Sequence, residues 1–251
     1  MVLAGVLLCW LPTGRSEQVE GIVSLDLCTD WMLLSYARRS QVLAFSPLLY
    51  RDPPSWVEPG LPTHDGSLEQ LISLAPTRVI SGEYNAIQLR RRLVQLGFDV
   101  TVLALPQSLQ QVVDYQRQLL QAVGRDPDVY PLPQIESKPR LERKLLLLGA
   151  NGMGTGRGTL EHELMTGAGW DNYLQHEGYV SLPMEKLVVD PPDAIYWSGP
   201  AGQALANLFI KHPVIGRMGA QILDDADHWR WRCPGPWTWQ LLEELSPLRL
   251  P

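Results

Sequence analysis

The chain has 251 residues, of which 45% are hydrophobic and 19% are charged, and its formal net charge is −6. This composition supports one large core or two smaller ones and excludes a disordered chain. An acidic chain without a basic cluster repels phosphate backbones, so we expect no binding of nucleic acid. Nine tryptophans are many for this length and favour a flat, partly polar ligand.

Residues 2–11 form an apolar run that is too short to cross a bilayer, and Pro12 and small residues follow it. This pattern predicts a signal peptide over residues 1–16, with Gly14 and Ser16 before a cut at Glu17, and hence an exported protein. No basic residue precedes the run, so the true start of the protein and the cleavage site stay open. The alternative that residues 2–11 are an apolar chain end and not a signal peptide also stays open.

Apolar runs of strand length then alternate with amphipathic stretches of helix length, which predicts an α/β fold with mainly parallel sheets. The predicted N-terminal lobe is 17–107, and a helix over 108–123 is long for this chain. Four prolines among charges follow this helix, so we assign 108–143 to an interlobe helix and linker. The predicted C-terminal lobe is 144–251. The whole is two three-layer lobes joined by a single long helix.

Individual elements follow from the same patterns. Predicted strands are 21–25, 42–45, 78–81, 99–103, 145–149, 194–197 and 221–223. Predicted helices, besides the interlobe helix, include one after 26–29, a short one from Ser67, 87–96, 159–165, a short one at 185–187, 203–210 and 237–245.

Removal of a signal peptide would leave two cysteines, Cys28 and Cys233. An oxidising compartment allows a disulfide between them, and two separate buried thiols also fit the sequence. The spacing of the two cysteines along the chain does not distinguish a disulfide from two separate thiols, so the pairing stays open.

The Gly-rich loop 151–159 follows a predicted strand and opens a predicted helix, where a phosphate cradle would lie. Its glycines miss the spacing of the dinucleotide and P-loop fingerprints, because Arg157 and Thr159 stand where glycine is needed. We therefore expect these glycines to form a tight turn or to let the backbone approach a ligand.

Two other classes of site find little support. The five histidines are scattered without a metal-binding spacing, which argues against capture of a bare metal ion. No nucleophile elbow occurs, which argues against an enzyme. An α/β enzyme acting on a small molecule is kept as the alternative from a different functional class. A scaffold without any ligand is a third hypothesis.

Two segments, 66–80 and 181–195, share the order short helix, proline and strand, one in each predicted lobe. Each places one glutamate, Glu69 or Glu185, in the first turn of its helix, where a capping role is also favourable. Both segments resemble the leucine-glutamate-x-leucine, proline, strand signature of the iron-siderophore and cobalamin-binding family that serves ABC importers. The segments 22–26 and 166–172 also fit, and the resemblance spans roughly residues 20–245.

The resemblance implies a periplasmic substrate-binding protein that captures a ferric siderophore or a corrinoid between two lobes. It implies delivery to an ABC permease dimer at the inner membrane, with Glu69 and Glu185 docking on arginines of the permease. We expect a monomer, an iron or cobalt chelate as ligand, no covalently bound cofactor and no enzymatic activity.

The family's corrinoid binders carry cleft aromatics at two places that here hold 63–65 and 81–82, which weakens cobalamin as the ligand. Haem is an alternative within the family, since Tyr50, Tyr84 or His64 could supply an axial ligand. The identity of the chelate therefore stays open.

Ligands of open α/β sheets lie beyond the carboxyl ends of the strands, and aromatic faces with a few cations suit a flat anionic chelate. Any single tryptophan can instead fill the core, but Trp197 at a strand end and the alternating segment 229–232 are singled out. The predicted ligand-binding residues are Asp26, Cys28, Tyr50, Tyr84, Met153, Arg157, Trp197, Trp229, Trp231 and Arg232.

Overall fold

The computed structural model describes residues 20–51, 53–130, 138–199, 205–224 and 228–246 of the chain. The predicted signal peptide and its expected cut at Glu17 therefore lie outside the described residues. No helix within these ranges has both the length and the apolar character that a membrane span needs.

The N-terminal lobe is built on a four-stranded parallel sheet with the strand order β2-β1-β3-β4. Its strands Ile22–Ser24 and Arg78–Gly82 lie in the centre, and their apolar side chains are buried on both faces, as expected for parallel strands. The elements are β1 Ile22–Ser24, α1 Leu27–Tyr36, β2 Val42–Ala44, α2 Leu68–Leu74, β3 Arg78–Gly82, α3 Ile87–Gln95 and β4 Val100–Leu103.

Helices cover both faces of this sheet. One face packs α1 through Trp31, Met32 and Leu33, and the other packs α2 and α3 through Leu71 and Leu93. The N-terminal lobe is thus a three-layer α/β/α unit.

Helix α4, Leu109–Ala122, connects the lobes and confirms the predicted long helix. The Ser108 hydroxyl caps it by accepting a hydrogen bond from the Gln111 amide. Leu109 at its start belongs to the core of the C-terminal lobe, whereas Leu119 near its end belongs to the core of the N-terminal lobe. Buried Gln116 links the two sides, because it donates to the Tyr36 hydroxyl of α1 and accepts from the Trp239 indole of the last helix.

The C-terminal lobe has a six-stranded mixed sheet with the order β10-β9-β5-β6-β8, and β7 pairs with β5. Strands β10, β9, β5 and β7 are parallel, whereas β6 runs antiparallel to β5 and β8. The elements are β5 Lys144–Leu148, β6 Met153–Thr155, α5 Leu160–Gly167, β7 Asp171–Asn172, β8 Tyr179–Ser181, α6 Met184–Val189, β9 Ala194–Trp197, α7 Pro213–Arg217, β10 Gln221–Asp224 and α8 Trp237–Glu244.

The sequence predicted that the Gly-rich segment leads straight from a strand into a helix, but the structure differs. The segment turns back as β6, and the prediction missed β6, β7 and β8. A Cβ atom at Gly154 would overlap the Leu174 side chain, and one at Gly156 would overlap the His176 carbonyl. The glycines therefore allow close packing of this antiparallel edge. The predicted helix 203–210 is, in its described part, the 3-10 helix Leu205–Lys211.

The chain returns to the N-terminal lobe near its end. Cys233 and Trp237 belong to the same buried cluster as Trp31 of α1, and a disulfide joins Cys28 to Cys233 across 205 residues of sequence. The disulfide resolves the pairing that the sequence left open. The lobes are therefore held together by α4, by the returning segment and by a covalent bond.

Candidate functional site

Loops from both lobes meet at one pocket of about 280 Å³. Residues 105–107 follow β4 in the N-terminal lobe, and residues 230–234 follow β10 in the C-terminal lobe. Residues 158–161 at the start of α5 and Tyr179 of β8 complete much of the wall. The pocket thus lies between the lobes, beyond the carboxyl ends of strands, where ligands of α/β proteins bind.

A tyrosine and a glutamate form a hydrogen-bonded pair in this pocket. The Tyr179 hydroxyl donates to the Glu161 carboxylate at 3.1 Å. Burial raises the pKa of the Glu161 carboxyl, and burial together with the nearby Glu161 charge raises the pKa of the Tyr179 hydroxyl. Tyr179 therefore keeps its proton at neutral pH. Neither residue was among the predicted ligand-binding residues, because β8 was not predicted and Glu161 was assigned only to a helix.

Two predicted residues, Trp231 and Arg232, do line the pocket. The Trp231 ring meets Tyr196 edge to face, with ring centroids 5.1 Å apart. The Trp231 indole N–H is buried and has no hydrogen-bond partner among the described residues. An unsatisfied buried donor is costly in free energy, so Trp231 packs here at the expense of one hydrogen bond.

Trp229 lies in a cluster of four tryptophans rather than alone in a cleft. Its ring centroid is 5.5 Å from that of Trp31, 5.8 Å from Trp56 and 5.4 Å from Trp237. Trp56 is 40% exposed and lies in the loop that follows β2. The sequence reasoning passed over Trp56, although its place in a Pro-rich loop after a strand was a usable signal.

Trp197 was predicted to face the ligand, and the structure places it in the core. It is 7% exposed and belongs to the cluster that contains Leu148 and Ile215. Successive side chains of a strand point to opposite faces, so Tyr196 rather than Trp197 reaches the layer of Trp231. Ligand binding by Trp197 remains a prediction, and the structure places its side chain on the face of β9 opposite to that of Tyr196.

Two further predicted residues have structural roles, since Asp26 caps a helix and Cys28 forms a disulfide. Asp26 is buried and caps α1, accepting hydrogen bonds from the amides of Cys28 and Thr29 at 3.0 and 3.1 Å and from that of Gly82. Cys28 is bonded to Cys233. Ligand binding by Asp26 and Cys28 remains a prediction, and in the structure their side chains serve a helix cap and a disulfide.

The remaining predicted residues lie at the surface. The Tyr50 hydroxyl donates to the Glu58 carbonyl at 3.2 Å and accepts from the Leu61 amide, so its oxygen serves the loop after β2. Arg157 lies 3.7 Å from the Glu177 carboxylate. Tyr84 is exposed in the turn after β3, and Met153 is exposed at the start of β6.

His64 is not placed to act as an axial ligand. It is buried, its Nε2 atom lies 2.8 Å from the Ser24 carbonyl oxygen, and its Nδ1 atom accepts from the Gly66 amide. Both ring nitrogens are thus engaged, and burial lowers the pKa of the ring. Within the described ranges no group of three His, Cys, Asp or Glu side chains is placed to hold a metal ion.

Glu69 and Glu185 are both exposed in the first turns of α2 and α6. The cap of α2 is the Ser67 hydroxyl, which accepts from the Gln70 amide at 3.2 Å. Neither glutamate makes a side-chain hydrogen bond or ion pair with any residue that the structure describes. Their carboxylates are left to solvent or to a partner.

Two α/β/α lobes, a connecting helix and a pocket between them define a two-lobed ligand-binding fold. No protein-family model and no curated protein sequence matches the chain. Solved structures share the fold over almost its whole length. A possible iron-binding periplasmic solute-binding protein from Staphylococcus epidermidis is 17% identical with a TM-score of 0.69, covering 93% of this chain and 98% of its own.

Two proteins of Vibrio cholerae are also similar. The periplasmic haem-binding protein HutB is 19% identical with a TM-score of 0.69, covering 92% of this chain and 98% of its own. The vitamin B12-binding protein BtuF is 17% identical with a TM-score of 0.62, covering 91% and 96%. The chain therefore has the fold of the periplasmic iron, haem and B12-binding proteins, which confirms the predicted fold class and the resemblance at the level of fold.

Proposed function

We propose that this protein is an exported substrate-binding protein of an ABC importer that captures a metal chelate between its lobes and delivers it to the permease. The observation that carries this proposal is the pocket beyond the strand ends, built from residues of both lobes. Structures of the same fold bind haem and vitamin B12, which supports a metal chelate as the class of ligand.

The groups around the pocket suit a flat chelate with oxygen atoms at its edge. Trp231 contributes an aromatic side chain to the pocket wall, Arg232 contributes a cationic residue, and the Tyr179–Glu161 pair contributes a hydroxyl beside a carboxyl. Aromatic and cationic groups together favour planar anionic ligands. A ferric siderophore or a corrinoid fits this description.

Haem is the second candidate, favoured by the position of Tyr84. This side chain is exposed and follows the carboxyl end of β3, whereas His64 and the Tyr50 oxygen are engaged within the protein. A tyrosine oxygen is a known axial ligand of haem iron. Tyr84 is thus the residue that would hold haem if haem is the cargo.

Delivery is assigned to the two exposed glutamates. Glu69 and Glu185 occupy equivalent helices in the two lobes, and each carboxylate has no partner among the described residues. A permease dimer with arginines at its outer surface would pair with both. The protein would act as a monomer in the periplasm and would bind its ligand stoichiometrically, without turnover.

The test of the proposed function is a fluorescence titration of the purified mature protein with haemin, cyanocobalamin and ferrichrome. We expect one of these probes to quench tryptophan emission saturably at one ligand per protein, because tryptophans surround the region between the lobes. A protein that leaves all three probes intact and unbound would contradict the proposal, and chemical conversion of a probe would favour an enzyme.

A further inference from the structure

Helices α2 and α6 present the same surface in the two lobes. Each carries an exposed glutamate, then a partly buried residue, then a fully buried leucine, then an exposed β-branched residue. The four residues are 69–72 in α2 and 185–188 in α6. Leu71 and Leu187 are both 0% exposed and anchor their helices, while Ile72 is 44% and Val188 is 60% exposed.

The glutamate and the β-branched residue of each helix lie side by side. Residues three apart on a helix are neighbours on one face, so Glu69 adjoins Ile72 and Glu185 adjoins Val188. Val189, which is 84% exposed, extends the apolar part of the second face. We call these two surfaces the α2 face (Glu69, Ile72) and the α6 face (Glu185, Val188, Val189).

We propose that Ile72 and Val188 are apolar anchors that enter depressions next to the cationic groups of the permease. This inference rests on the proposed function and adds to it, since the glutamates alone supply charge. A charge at a wet rim steers association and contributes little to affinity, whereas a buried apolar side chain contributes directly. Each face thus pairs a steering group with an anchoring group.

The likeness of the two faces identifies the kind of partner. Two like surfaces, one on each lobe, are engaged together by a partner that carries two like sites, which is a two-fold symmetric dimer. Each site must be cationic to meet a carboxylate that no described residue neutralises, and apolar beside that cation. A permease dimer meets both conditions.

Uptake by cells tests the inference. Cells that lack this gene would be complemented with wild type or with the Ile72→Ser, Val188→Ser double variant, and would be given the radiolabelled probe that the titration identifies. We expect the double variant to bind the probe as wild type does and to lower uptake at least about fivefold, because two anchors are lost. The matched control is Val129→Ser, since Val129 is 74% exposed and lies on neither face.

The outcomes separate the inference from the proposed function. Uptake that stays normal in the Ser variant, while a Glu69→Arg, Glu185→Arg variant loses it, overturns the anchors and leaves the function standing. Uptake that does not depend on this protein at all overturns the function. The Ile72→Thr, Val188→Thr variant keeps the β-branched shape and repeats the test if the Ser variant melts early. A wild-type dimer in sedimentation that these variants dissociate would assign the faces to self-association and overturn the proposal.

Discussion

Asp30 is a carboxyl that lies wholly inside the N-terminal lobe. It accepts hydrogen bonds from the Ser46 amide at 2.9 Å and the Ser46 hydroxyl at 2.6 Å, so it ties α1 to the loop after β2. Burial raises the pKa of this carboxyl from 3.8 to about 7, and the neighbouring Asp26 charge acts in the same direction. The folded protein therefore keeps a proton that the unfolded chain releases at much lower pH.

The sign of the pH dependence follows from these two values. Between about pH 4 and pH 7 the folded state binds more protons than the unfolded state, so the free energy of unfolding falls as pH rises. The contribution changes by at most about 1.4 kcal/mol per pH unit and levels off above pH 7. We expect the Asp30→Asn variant to lack this decline; its amide oxygen can still accept from the Ser46 amide, while its NH2 group would donate to the Ser46 hydroxyl oxygen.

Urea unfolding of wild type and the Asp30→Asn variant from pH 5 to pH 8 measures the effect as a difference between two curves. His64 has a lowered pKa and therefore acts with the opposite sign, losing stability as pH falls. Because His64 is present in both proteins, its contribution cancels in the difference. Parallel curves over this pH range would refute the assignment to Asp30.

Trp197 gives a second prediction at the scale of a residue. Because its ring belongs to the buried cluster that contains Leu148 and Ile215, Trp197→Ala leaves a cavity and should lower the free energy of unfolding by about 3–5 kcal/mol. Trp56→Ala removes a ring that is 40% exposed and should cost less. Urea unfolding of both variants checks the order. A Trp197→Ala protein of normal stability that no longer binds its ligand would restore the ligand-facing role.

At the scale of elements, the segment 229–237 matters most, because it carries the C-terminal lobe back onto α1. Trp229 and Trp237 pack against Trp31, and the disulfide adds a covalent bond at the first turn of α1. Trp231 in the same segment lines the pocket. One segment thus joins the lobes and lines the pocket between them.

The Cys28→Ser, Cys233→Ser variant tests the contribution of this covalent bond. A cross-link that closes a long loop restricts the unfolded chain, and its loss should lower the free energy of unfolding by about 3–5 kcal/mol. Thermal unfolding with and without a reductant measures this. The reductant should destabilise wild type to the level of the variant and leave the variant unchanged. Equal melting of oxidised and reduced wild type would contradict the prediction.

The whole molecule has two lobes that cannot move freely. Helix α4 contributes side chains to the cores of both lobes, and buried Gln116 bonds to α1 on one side and α8 on the other. With the returning segment and the disulfide, these contacts limit closure around a ligand to small movements. Under the proposed function, the permease would therefore have to contact both lobes to release a ligand.

The Glu69→Arg, Glu185→Arg variant tests this requirement. Both side chains are exposed and neither lines the pocket, so the variant should fold and bind its probe normally. Uptake in complemented cells should be lost, because two like charges would then face the cationic surface of the permease. Normal uptake in these cells would remove the docking role of both glutamates.

Much of the fold followed from local patterns. The uniform apolar runs at 145–148 and 194–197 could only be buried strands or core helices, and their length decided for strands. The apolar spacing of α4 and the Ser–Gly punctuation around it specified a long helix. Strands β6, β7 and β8 are as short as β1 and β2, but β6 and β7 contain no run of apolar residues, and no local pattern predicted any of the three.

The sequence by itself therefore determined the class of fold, the connecting helix and the two like glutamate helices, because periodicity and capping are properties of neighbouring residues. Tertiary structure alone decided that Cys28 meets Cys233, that Tyr179 meets Glu161, and that Tyr196 rather than Trp197 reaches the layer of Trp231. These outcomes depend on which face of a strand meets which layer and on how the end of the chain returns. A shift of one residue in a strand reverses the facing of every side chain, so no local pattern carries that information.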